Sequence, residues 1–371
     1  MIIKKPTLIL DKNKCLSNIA FMAGKAKEHK LIFRPHFKTH QSAVIGEWFM
    51  NYGVDKITVS SVSMAQYFAA CGWNDITIAF PVNILEIDEI NSLAKKIKIN
   101  LIADNISIIK SLHSKLTNEV GIFIKIDTGY HRTGIEWDDY QQINEILNFI
   151  TTSSQLQFKG FLTHSGHSYN AKSVNEIKAI HSDTINKMNS VKNNFSTIFP
   201  NLKISIGDTP SCSICDDFNG VDEIRPGNFV FYDVMQYFLG SCASDQIAIS
   251  VACPVVSVSV SRNEFVIYGG AIHLSKEFII DKKNNKCFGL VVEFNDNGWS
   301  EPIKQTYVSA ISQEHGIIKT SAEIIKKIKP GDIVGVLPVH SCLTVHQLKT
   351  YSDINGSELS ESLRNKEHSS F

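Results

Sequence analysis

Short apolar runs alternate with longer stretches of helical periodicity over the first 240 residues of the chain. Runs of this length are typical of strands. The stretches between them repeat apolar residues every three or four positions, as amphipathic helices do, for example at 138–152 and 172–195. Strands are therefore predicted at 31–35, 56–61, 76–80, 99–103, 121–127, 158–164, 202–207 and 221–225.

This alternation indicates a parallel (β/α)8 barrel over residues 11–240. In such a barrel each strand is followed by a helix that lies outside the sheet. A doubly wound open sheet shows the same alternation of strands and helices and is the alternative fold.

A second, mainly β domain is predicted for residues 241–371, because strand-like runs follow one another there without long helices between them. One late helical segment is predicted at 320–328. The N-terminal segment 1–10 contains the apolar run Thr7–Leu10 and is predicted to pair with a distant sheet and join this domain. The strand-like runs are 247–260, 264–268, 289–294 and 332–337.

The charge balance favours a small-molecule function. The 371 residues include 37 Lys and Arg and 37 Asp and Glu, so no basic surface for nucleic acid or an anionic membrane is expected. No apolar run approaches the ~20 residues of a membrane span, and the N-terminus lacks the apolar core of a signal peptide. We expect a cytoplasmic protein whose eight scattered cysteines are reduced thiols.

Two of the cysteines, Cys212 and Cys215, have the spacing of a redox motif or of half a zinc site. The sequence holds no second pair of this kind, which a four-cysteine zinc site requires. We therefore interpret this pair as structural.

A lysine follows the first predicted strand, after a small cluster of cations. Lys38 comes after the apolar run 31–33, with Arg34 and His36 in between. Positive charge beside Lys38 would disfavour its ammonium form and leave more of the nucleophilic amine. Such a lysine is suited to form a Schiff base. The alternative is a solvated basic loop.

Glycine-bearing turns follow the last two predicted strands, at 207–211 and 225–228. Barrel active sites lie at the carboxyl ends of the strands, where neighbouring turns point backbone N–H groups at a shared point. These turns are predicted to bind a phosphate, although glycine and proline also occur in ordinary loops. A Schiff-base lysine together with a phosphate site indicates pyridoxal 5'-phosphate.

Near the end of the chain, His340 and Cys342 lie two residues apart in an apolar run. On an extended strand such residues face the same way, so both side chains could bind one ion, and an imidazole with a thiolate favours zinc. The alternative is a strand that holds a core cysteine. A further polar cluster at 313–316 could supply a general base.

These residues resemble the motifs of the fold-type III pyridoxal-phosphate enzymes, and within them the D-serine dehydratase and D-threonine aldolase group. The resemblance covers nearly the whole chain. It implies a barrel like that of alanine racemase followed by a C-terminal β domain, and a homodimer. The motifs that carry it are 34–40, 127–134, 164–169, 207–211, 223–228, 313–316 and 338–342.

The resemblance implies a role for each matching residue. Lys38 would carry the cofactor and remove the Cα proton of the substrate, with His36 also in the cofactor site. Tyr169 would lie near the cofactor ring. The phosphate would be bound at Gly207, Thr209, Gly227 and Asn228.

The metal ligands distinguish two reactions within the group. His340 and Cys342 would bind Zn2+ or Mn2+, and dehydratase-like members have this His-x-Cys arrangement, whereas aldolase-like members have an aspartate at the position of Cys342. We therefore predict β-elimination from a D-3-hydroxy amino acid to a 2-oxo acid and ammonia. The alternatives are retro-aldol cleavage to glycine and an aldehyde, with His315 as a base, and a pyridoxal-phosphate carrier or regulator without turnover.

Two positions depart from the pattern of the group. Gln66 stands where a glutamate is expected, and His273 lies in a turn where an aspartate is expected. Because of these two differences, the sequence does not determine the side chain of the substrate. His273 is either an extra polar group at the domain boundary or a satisfied core histidine.

Overall fold

The structure is a computed structural model that describes residues 3–281, 283–354 and 357–361. The chain forms two compact units. The barrel unit comprises Ala20–Lys38 and Gly46–Gly227, and the β unit comprises Met1–Ile19, Thr39–Ile45 and Asn228–Phe371. The chain therefore passes between the units directly after Lys38 and directly after Gly227, which are two of the predicted site residues.

The barrel unit confirms the predicted (β/α)8 fold. Its eight main strands pair in parallel in their order along the chain, and the last also pairs with the first, at Glu223 and Ile32. A bridge between His36 and Thr58 joins the first strand to the second. Because the sheet closes on itself, the doubly wound alternative is wrong. The strands are β2 (Ile32–Phe33), β3 (Ile57–Val59), β4 (Asp75–Pro81), β5 (Lys98–Ala103), β6 (Val120–Asp127), β8 (Leu156–Leu162), β9 (Lys203–Ile206) and β10 (Glu223–Ile224).

Helices connect these strands, and a short strand, β7 (Ile135–Glu136), pairs with the end of β6. Several helices begin at a side chain that accepts a hydrogen bond from the first turn, as Ser61, Asn105 and Ser173 do. The first eight helices are α1 (Lys12–Glu28), α2 (Ala43–Met50), α3 (Val62–Ala70), α4 (Ile87–Ala94), α5 (Ile106–Lys115), α6 (Tyr140–Ile150), α7 (Val174–Phe195) and α8 (Thr209–Ile214).

The β unit is built on a large, mainly antiparallel sheet, as the sequence predicted. Its strands are β1 (Thr7–Leu10), β11 (Ile249–Ser259), β12 (Glu264–Tyr268), β15 (Gly289–Val292), β18 (Tyr307–Ile311), β19 (His315–Lys319), β20 (Ile333–Pro338), β21 (Thr350–Ser352) and β22 (Glu358–Glu361). Pairing in the order β11, β12, β19, β18, β15, β20 and back to β11 closes a small barrel. The N-terminal strand β1 pairs with β11 and β21, so the first segment does join a distant sheet.

Smaller elements complete the β unit. Two further antiparallel strand pairs and three helices belong to this unit. These elements are β13 (Ile279–Ile280), β14 (Lys286–Cys287), β16 (Phe294–Asn295), β17 (Gly298–Trp299), α9 (Val234–Leu239), α10 (Ala271–Leu274) and α11 (Ser341–Leu348).

Two local predictions for the β unit are wrong. The segment 320–328 forms turns rather than a helix, with Ser321 accepting from the N–H of Ile325 in a single helical turn. The run that holds His340 and Cys342 is not one extended strand, because β20 ends at Pro338 and α11 begins at Ser341. Of the apolar residues past Pro338, Val339 precedes this helix, Leu343 is exposed on it and Val345 is buried in it.

Within residues 3–281, 283–354 and 357–361, no helix has the length and apolar character that crossing a bilayer requires.

Candidate active site

Lys38 lies in the loop that follows the first barrel strand. Its side chain is exposed, and its backbone N–H donates a hydrogen bond to Nδ1 of His36 at 3.3 Å. The N–H of His36 in turn donates to the carbonyl oxygen of Pro226 at 2.9 Å. The loop that carries the lysine is therefore tied to the turn that contains Gly227.

Arg34 does not lie beside Lys38, as the sequence had suggested. Its Nε is 2.7 Å from Glu223 Oε2, and its Nη1 is 2.6 Å from Asp75 Oδ1. Glu223 and Asp75 are the first residues of β10 and β4, so the guanidinium faces the amino ends of the strands, opposite to the active-site face of a barrel. The prediction that Arg34 adds positive charge next to the lysine is wrong.

The two glycine turns meet at the carboxyl ends of β9 and β10. A Cβ added at Gly207 would lie 2.9 Å from the carbonyl carbon of Arg225, so only glycine permits this close approach of the two backbones. The backbone N–H of Thr209 donates to the hydroxyl of Tyr169 at 3.2 Å. The predicted residues Gly207, Thr209 and Tyr169 therefore lie together, beside the segment that ends at Gly227.

The ring of His164 lies against the Gly207 turn and is near enough to Lys38 for its charge to act on the imidazole. Its Nδ1 donates a hydrogen bond to the carbonyl oxygen of Gly207, and its ring centroid lies 6.4 Å from that of Tyr169. Burial, helped by the charge of Lys38, lowers the pKa of His164 to about 3. The ring is therefore neutral near pH 7.

Arg225 is a site residue whose importance the sequence did not reveal. Its guanidinium is buried, with Nε donating to Ser205 Oγ at 2.7 Å and Nη2 donating to the carbonyl oxygen of Thr163 at 2.5 Å. Burial lowers the pKa of Arg225 to about 10. A cation held inside the barrel at the end of β10 fixes the strand end that the Gly207 turn packs against. The only signal in the sequence was an arginine before the Pro-Gly pair.

These residues match the requirements of pyridoxal phosphate. The Lys38 amine is accessible at a strand end, and the Gly207 turn forms a cradle that a Cβ would fill. Backbone N–H groups beside such a cradle suit a phosphate. The neutral His164 ring and the buried Arg225 complete a polar wall at the same strand ends.

The predicted metal pair lies in the β unit, where β20 gives way to α11. His340 precedes the first residue of α11 with an extended backbone, at φ −133° and ψ 98°, and its side chain does not cap the helix. The side chains of His340 and Cys342 are hydrogen-bonded to each other. Burial alone would lower the pKa of His340, but the hydrogen bond and charge of Cys342, together with Asp233, raise it to about 9. An imidazole beside a thiolate is a donor set that zinc favours.

The side chain of Asn228 takes part in the hydrogen bonds around this metal pair. Its Nδ2 donates to Asp233 Oδ2 at 2.6 Å and to Ser341 Oγ at 3.0 Å. The same nitrogen lies 3.9 Å from the sulfur of Cys342. The sequence predicted that Asn228 binds the phosphate, whereas its side-chain amide is hydrogen-bonded to residues around His340 and Cys342.

His315 and His273 both lie in the β unit. His315 is exposed at the start of β19, opposite Tyr268 on β12. The side chain of His273 is 12% exposed; Nδ1 accepts from the N–H of Gly270 at 3.2 Å, and Nε2 lies 3.9 Å from Glu314 Oε2. Burial lowers the pKa of His273. These contacts support the interpretation of His273 as a satisfied histidine of the core.

Cys212 and Cys215 occur as two buried free thiols in and after α8. Burial raises the pKa of Cys215 to about 11 and also raises the pKa of Cys212. The ammonium of Lys25 donates to both of their carbonyl oxygens, at 3.2 and 2.7 Å, and so terminates α8. These contacts are those of a structural pair.

Two domain families match the chain. Residues 10–234 match the alanine racemase N-terminal domain, and residues 248–353 match the putative serine dehydratase domain. The D-serine dehydratase of Dictyostelium discoideum is 31% identical over 94% of this chain and 92% of its own length. The 3-hydroxy-D-aspartate aldolase of Paracoccus denitrificans is 29% identical over 48% of this chain and 47% of its own.

A solved structure agrees with this assignment at the level of the fold. The D-threo-3-hydroxyaspartate dehydratase of Delftia sp. HT23 is 25% identical over 93% of each chain. Its structure matches with a TM-score of 0.89 and 24% identity over 97% of both chains, and a variant of it is known in a metal-free form. The chain therefore belongs to the fold-type III pyridoxal-phosphate enzymes, with an alanine racemase N-terminal domain followed by a serine dehydratase domain.

Proposed function

We propose that this chain is a pyridoxal-phosphate- and zinc-dependent lyase that removes the β-hydroxyl of D-serine or of a similar D-3-hydroxy amino acid. The products would be a 2-oxo acid and ammonia. Similarity to a D-serine dehydratase along 94% of this chain supports the reaction. The observation that carries it is the thiol at Cys342, hydrogen-bonded to His340, where aldolase-like members have an aspartate.

The residues of the barrel unit would handle the cofactor and the Cα proton. Pyridoxal phosphate supplies an electron sink for the electrons of the broken Cα–H bond, and zinc supplies a Lewis acid for the departing hydroxyl. The Lys38 amine would hold the cofactor and, once the substrate has replaced it, take the Cα proton. Backbone N–H groups of the turns at Gly207 and Gly227 would hold the phosphate.

The residues of the β unit would handle the leaving group. His340 and Cys342 would hold zinc, which would supply a Lewis acid for the β-hydroxyl. The Cα proton and the β-hydroxyl would be lost together as one water molecule. The enamine left behind would take up one water molecule and release ammonia. For D-serine the balance is pyruvate and ammonia, with no external oxidant or reductant.

Two of the proposed cofactor residues are chain neighbours of residues that contact the metal pair. Lys38 is followed directly by Thr39, whose hydroxyl oxygen lies 3.3 Å from the sulfur of Cys342. Gly227 is followed directly by Asn228, which hydrogen-bonds to Ser341 between the two metal ligands. Two of the four places where the chain crosses between the units therefore join a proposed cofactor residue to a neighbour of the metal pair.

Retro-aldol cleavage is the second candidate, favoured by the 29% identity to an aldolase over about half of the chain. Elimination breaks the Cα–H and Cβ–O bonds, whereas cleavage breaks Cα–Cβ. The two therefore differ in their products rather than in their binding residues. His315 would act as a base only in the cleavage reaction.

Product analysis tests the proposed reaction. The protein is incubated with pyridoxal phosphate, zinc and D-serine, D-threonine or D-threo-3-hydroxyaspartate, and 2-oxo acid, ammonia, glycine and aldehyde are measured together. We expect equal amounts of 2-oxo acid and ammonia, and none from Lys38→Ala. Glycine with aldehyde would establish cleavage instead, and a cofactor-loaded protein without products would establish a carrier or regulator.

Removal of the metal tests the role of His340 and Cys342. We expect a chelator to reduce 2-oxo acid formation about 100-fold or more, since Lewis-acid polarisation contributes several kcal/mol to the barrier. Added zinc should restore the activity of the wild-type protein but not that of Cys342→Ala. Full activity of the stripped protein would exclude a catalytic metal.

The location and assembly of the protein are also part of the proposal. We infer a cytoplasmic homodimer, the location from the eight free thiols and the assembly from the membership of the chain in fold-type III. Light scattering at several protein concentrations tests the assembly, and fractionation of cells tests the location.

A further inference from the structure

The turn between the two proposed metal ligands is held by a buried carboxylate. Asp233 is 1% exposed, and its Oδ2 accepts the backbone N–H of Ser341 at 3.0 Å and Nδ2 of Asn228 at 2.6 Å. Ser341 lies between His340 and Cys342 and is itself fully buried. One oxygen of Asp233 therefore binds both the backbone and, through Asn228, the hydroxyl of the residue that separates the ligands.

The other oxygen of Asp233 has a separate task. Oδ1 accepts the N–H of Gln236 at 3.0 Å and thereby caps α9. A second link runs beside it, because the N–H of Met235 donates to the carbonyl oxygen of Val339 at 3.3 Å. Two backbone groups of the segment 339–341, the N–H of Ser341 and the carbonyl of Val339, are thus hydrogen-bonded to residues at the start of α9.

The first turn of α11 needs such an anchor. The first four N–H groups of a helix have no partner within it, and His340 does not cap α11 with its side chain. The imidazole is therefore left for the metal, while Asp233 accepts the N–H of Ser341, which is one of the first-turn groups without a partner in the helix. Without this bond the turn that brings His340 and Cys342 together would be free to fray.

The charge of Asp233 is also placed for a metal site. Among the residues that the structure describes, no lysine or arginine forms an ion pair with it. Groups that hydrogen-bond around metal ligands are commonly carboxylates. A divalent ion at His340 and Cys342 would place further positive charge near this buried carboxylate.

We propose that Asp233 is a positioning residue of the metal site, which holds Ser341 and Asn228 so that His340 and Cys342 converge on one ion. The inference rests on the proposed function, because it assumes that this pair binds zinc. It assigns to Asp233 a contribution to metal affinity that is separate from its capping of α9.

Zinc affinity, measured by competition with a chromophoric chelator, tests this role. The full chain is loaded with pyridoxal phosphate, stripped of metal and titrated with zinc. Asp233→Asn keeps the size of the side chain but accepts hydrogen bonds at only one end, so it cannot both cap α9 and hold Ser341. We expect its zinc affinity to fall about 10–100-fold, while the absorbance of the bound cofactor stays unchanged. Asp139→Asn, which alters the exposed cap of α6 in the barrel unit, is the matched control.

A second pair of variants separates the link to Ser341 from the cap of α9. Ser341→Pro removes the N–H that Asp233 accepts, at a helix position where proline is favoured and after a residue that is already extended. Ser341→Ala removes only the hydroxyl. We expect the proline variant to bind zinc at least tenfold more weakly than the alanine variant.

The outcomes distinguish failure of the role of Asp233 from failure of the metal site itself. Zinc affinities within twofold of the wild-type value for Asp233→Asn and Ser341→Pro would overturn the role of Asp233 and leave the metal site standing. A wild-type protein that binds no zinc at all would overturn both the positioning role and the metal part of the proposed function. Recovery of 2-oxo acid formation in Asp233→Asn at saturating zinc would support a role in affinity alone.

Discussion

The sulfur of Cys342 lies 3.3 Å from the hydroxyl oxygen of Thr39, a residue 303 positions earlier in the chain. Thr39 is buried and is the first residue of its segment of the β unit, directly after Lys38. The thiol of Cys342 donates to this hydroxyl oxygen. When the sulfur has lost its proton to bind a metal, the hydroxyl would instead donate to the thiolate and stabilise it as a ligand. The position next to the proposed Schiff-base lysine therefore serves the proposed metal ligand.

Replacement of this hydroxyl should weaken the metal site. We expect Thr39→Val, which keeps the shape of the side chain, to lower zinc affinity or the rate of 2-oxo acid formation about tenfold, the lower end of the range for groups around metal ligands. Chelator competition and product assays at saturating zinc measure the two effects. Thr39→Ser keeps the hydroxyl and should stay near the wild-type values, and equal behaviour of the valine and serine variants would contradict the role of this contact.

The close approach of the turns at Gly207 and Arg225 predicts a second effect. A methyl group at position 207 would lie 2.9 Å from the backbone carbonyl carbon of Arg225. Gly207→Ala must therefore push the two strand ends apart. We expect a loss of about 1–3 kcal/mol in the free energy of unfolding and weaker binding of pyridoxal phosphate, measured by denaturant titration and by cofactor absorbance.

Gly24→Ala provides the matched control for that substitution. Gly24 lies inside α1, and a Cβ there would meet no atom within 4 Å. Alanine should therefore stabilise the helix by about 0.5–1 kcal/mol and leave cofactor binding unchanged. A Gly207→Ala protein as stable and as fully loaded as this control would show that the turns can separate without cost.

The barrel could be predicted from the sequence because local periodicity determines it. Strand β4, predicted at 76–80, spans Asp75–Pro81, and helix α7, predicted at 172–195, spans Val174–Phe195. Each of these elements is long enough to show its own period, so tertiary contacts were not needed to find it. The (β/α)8 fold followed from their alternation.

The parts of the site that the sequence did not reveal depend on long-range contacts. Arg34 lies four positions before Lys38, yet its guanidinium forms an ion pair with Glu223, 189 residues away. Asp233 holds Ser341 across 108 positions, and its only local signal was that of a helix cap with Gln236 three residues later. The start of α11 was missed because its apolar residues continue the pattern of the preceding strand.

The ion pair between Arg34 and Glu223 predicts a third effect, on stability alone. Glu223 is 1% exposed, with Oε2 accepting from Arg34 Nε at 2.7 Å and Oε1 from Ser205 Oγ at 2.6 Å. Glu223→Gln leaves the buried guanidinium with only Asp75, and removal of one member of a buried pair costs about 3 kcal/mol. Denaturant titration should show this loss.

An exposed ion pair gives the comparison for this loss. Asp216 pairs with Lys25 at 3.0 Å, but its side chain is 79% exposed. Asp216→Asn should therefore change the free energy of unfolding by less than about 1 kcal/mol. Similar losses for Glu223→Gln and Asp216→Asn would mean that the buried pair contributes no more than a surface contact.

The buried ring of His164 predicts the acid sensitivity of the fold. Its pKa is about 3 in the folded protein and about 6.5 in an unfolded chain, so between these values the unfolded chain binds more protons. Stability from this group is full above pH 6.5 and falls by about 1.4 kcal/mol per pH unit as the pH drops towards 3. His164→Gln can still donate to the carbonyl of Gly207 but cannot titrate, so its stability should fall less steeply with acid. Denaturant titrations at pH 7, 6 and 5 give the change of unfolding free energy with pH for the wild type and for His164→Gln. His113→Gln, at an exposed position, is the control and should keep the wild-type slope. Parallel curves for the wild type and His164→Gln would rule out a neutral ring at His164.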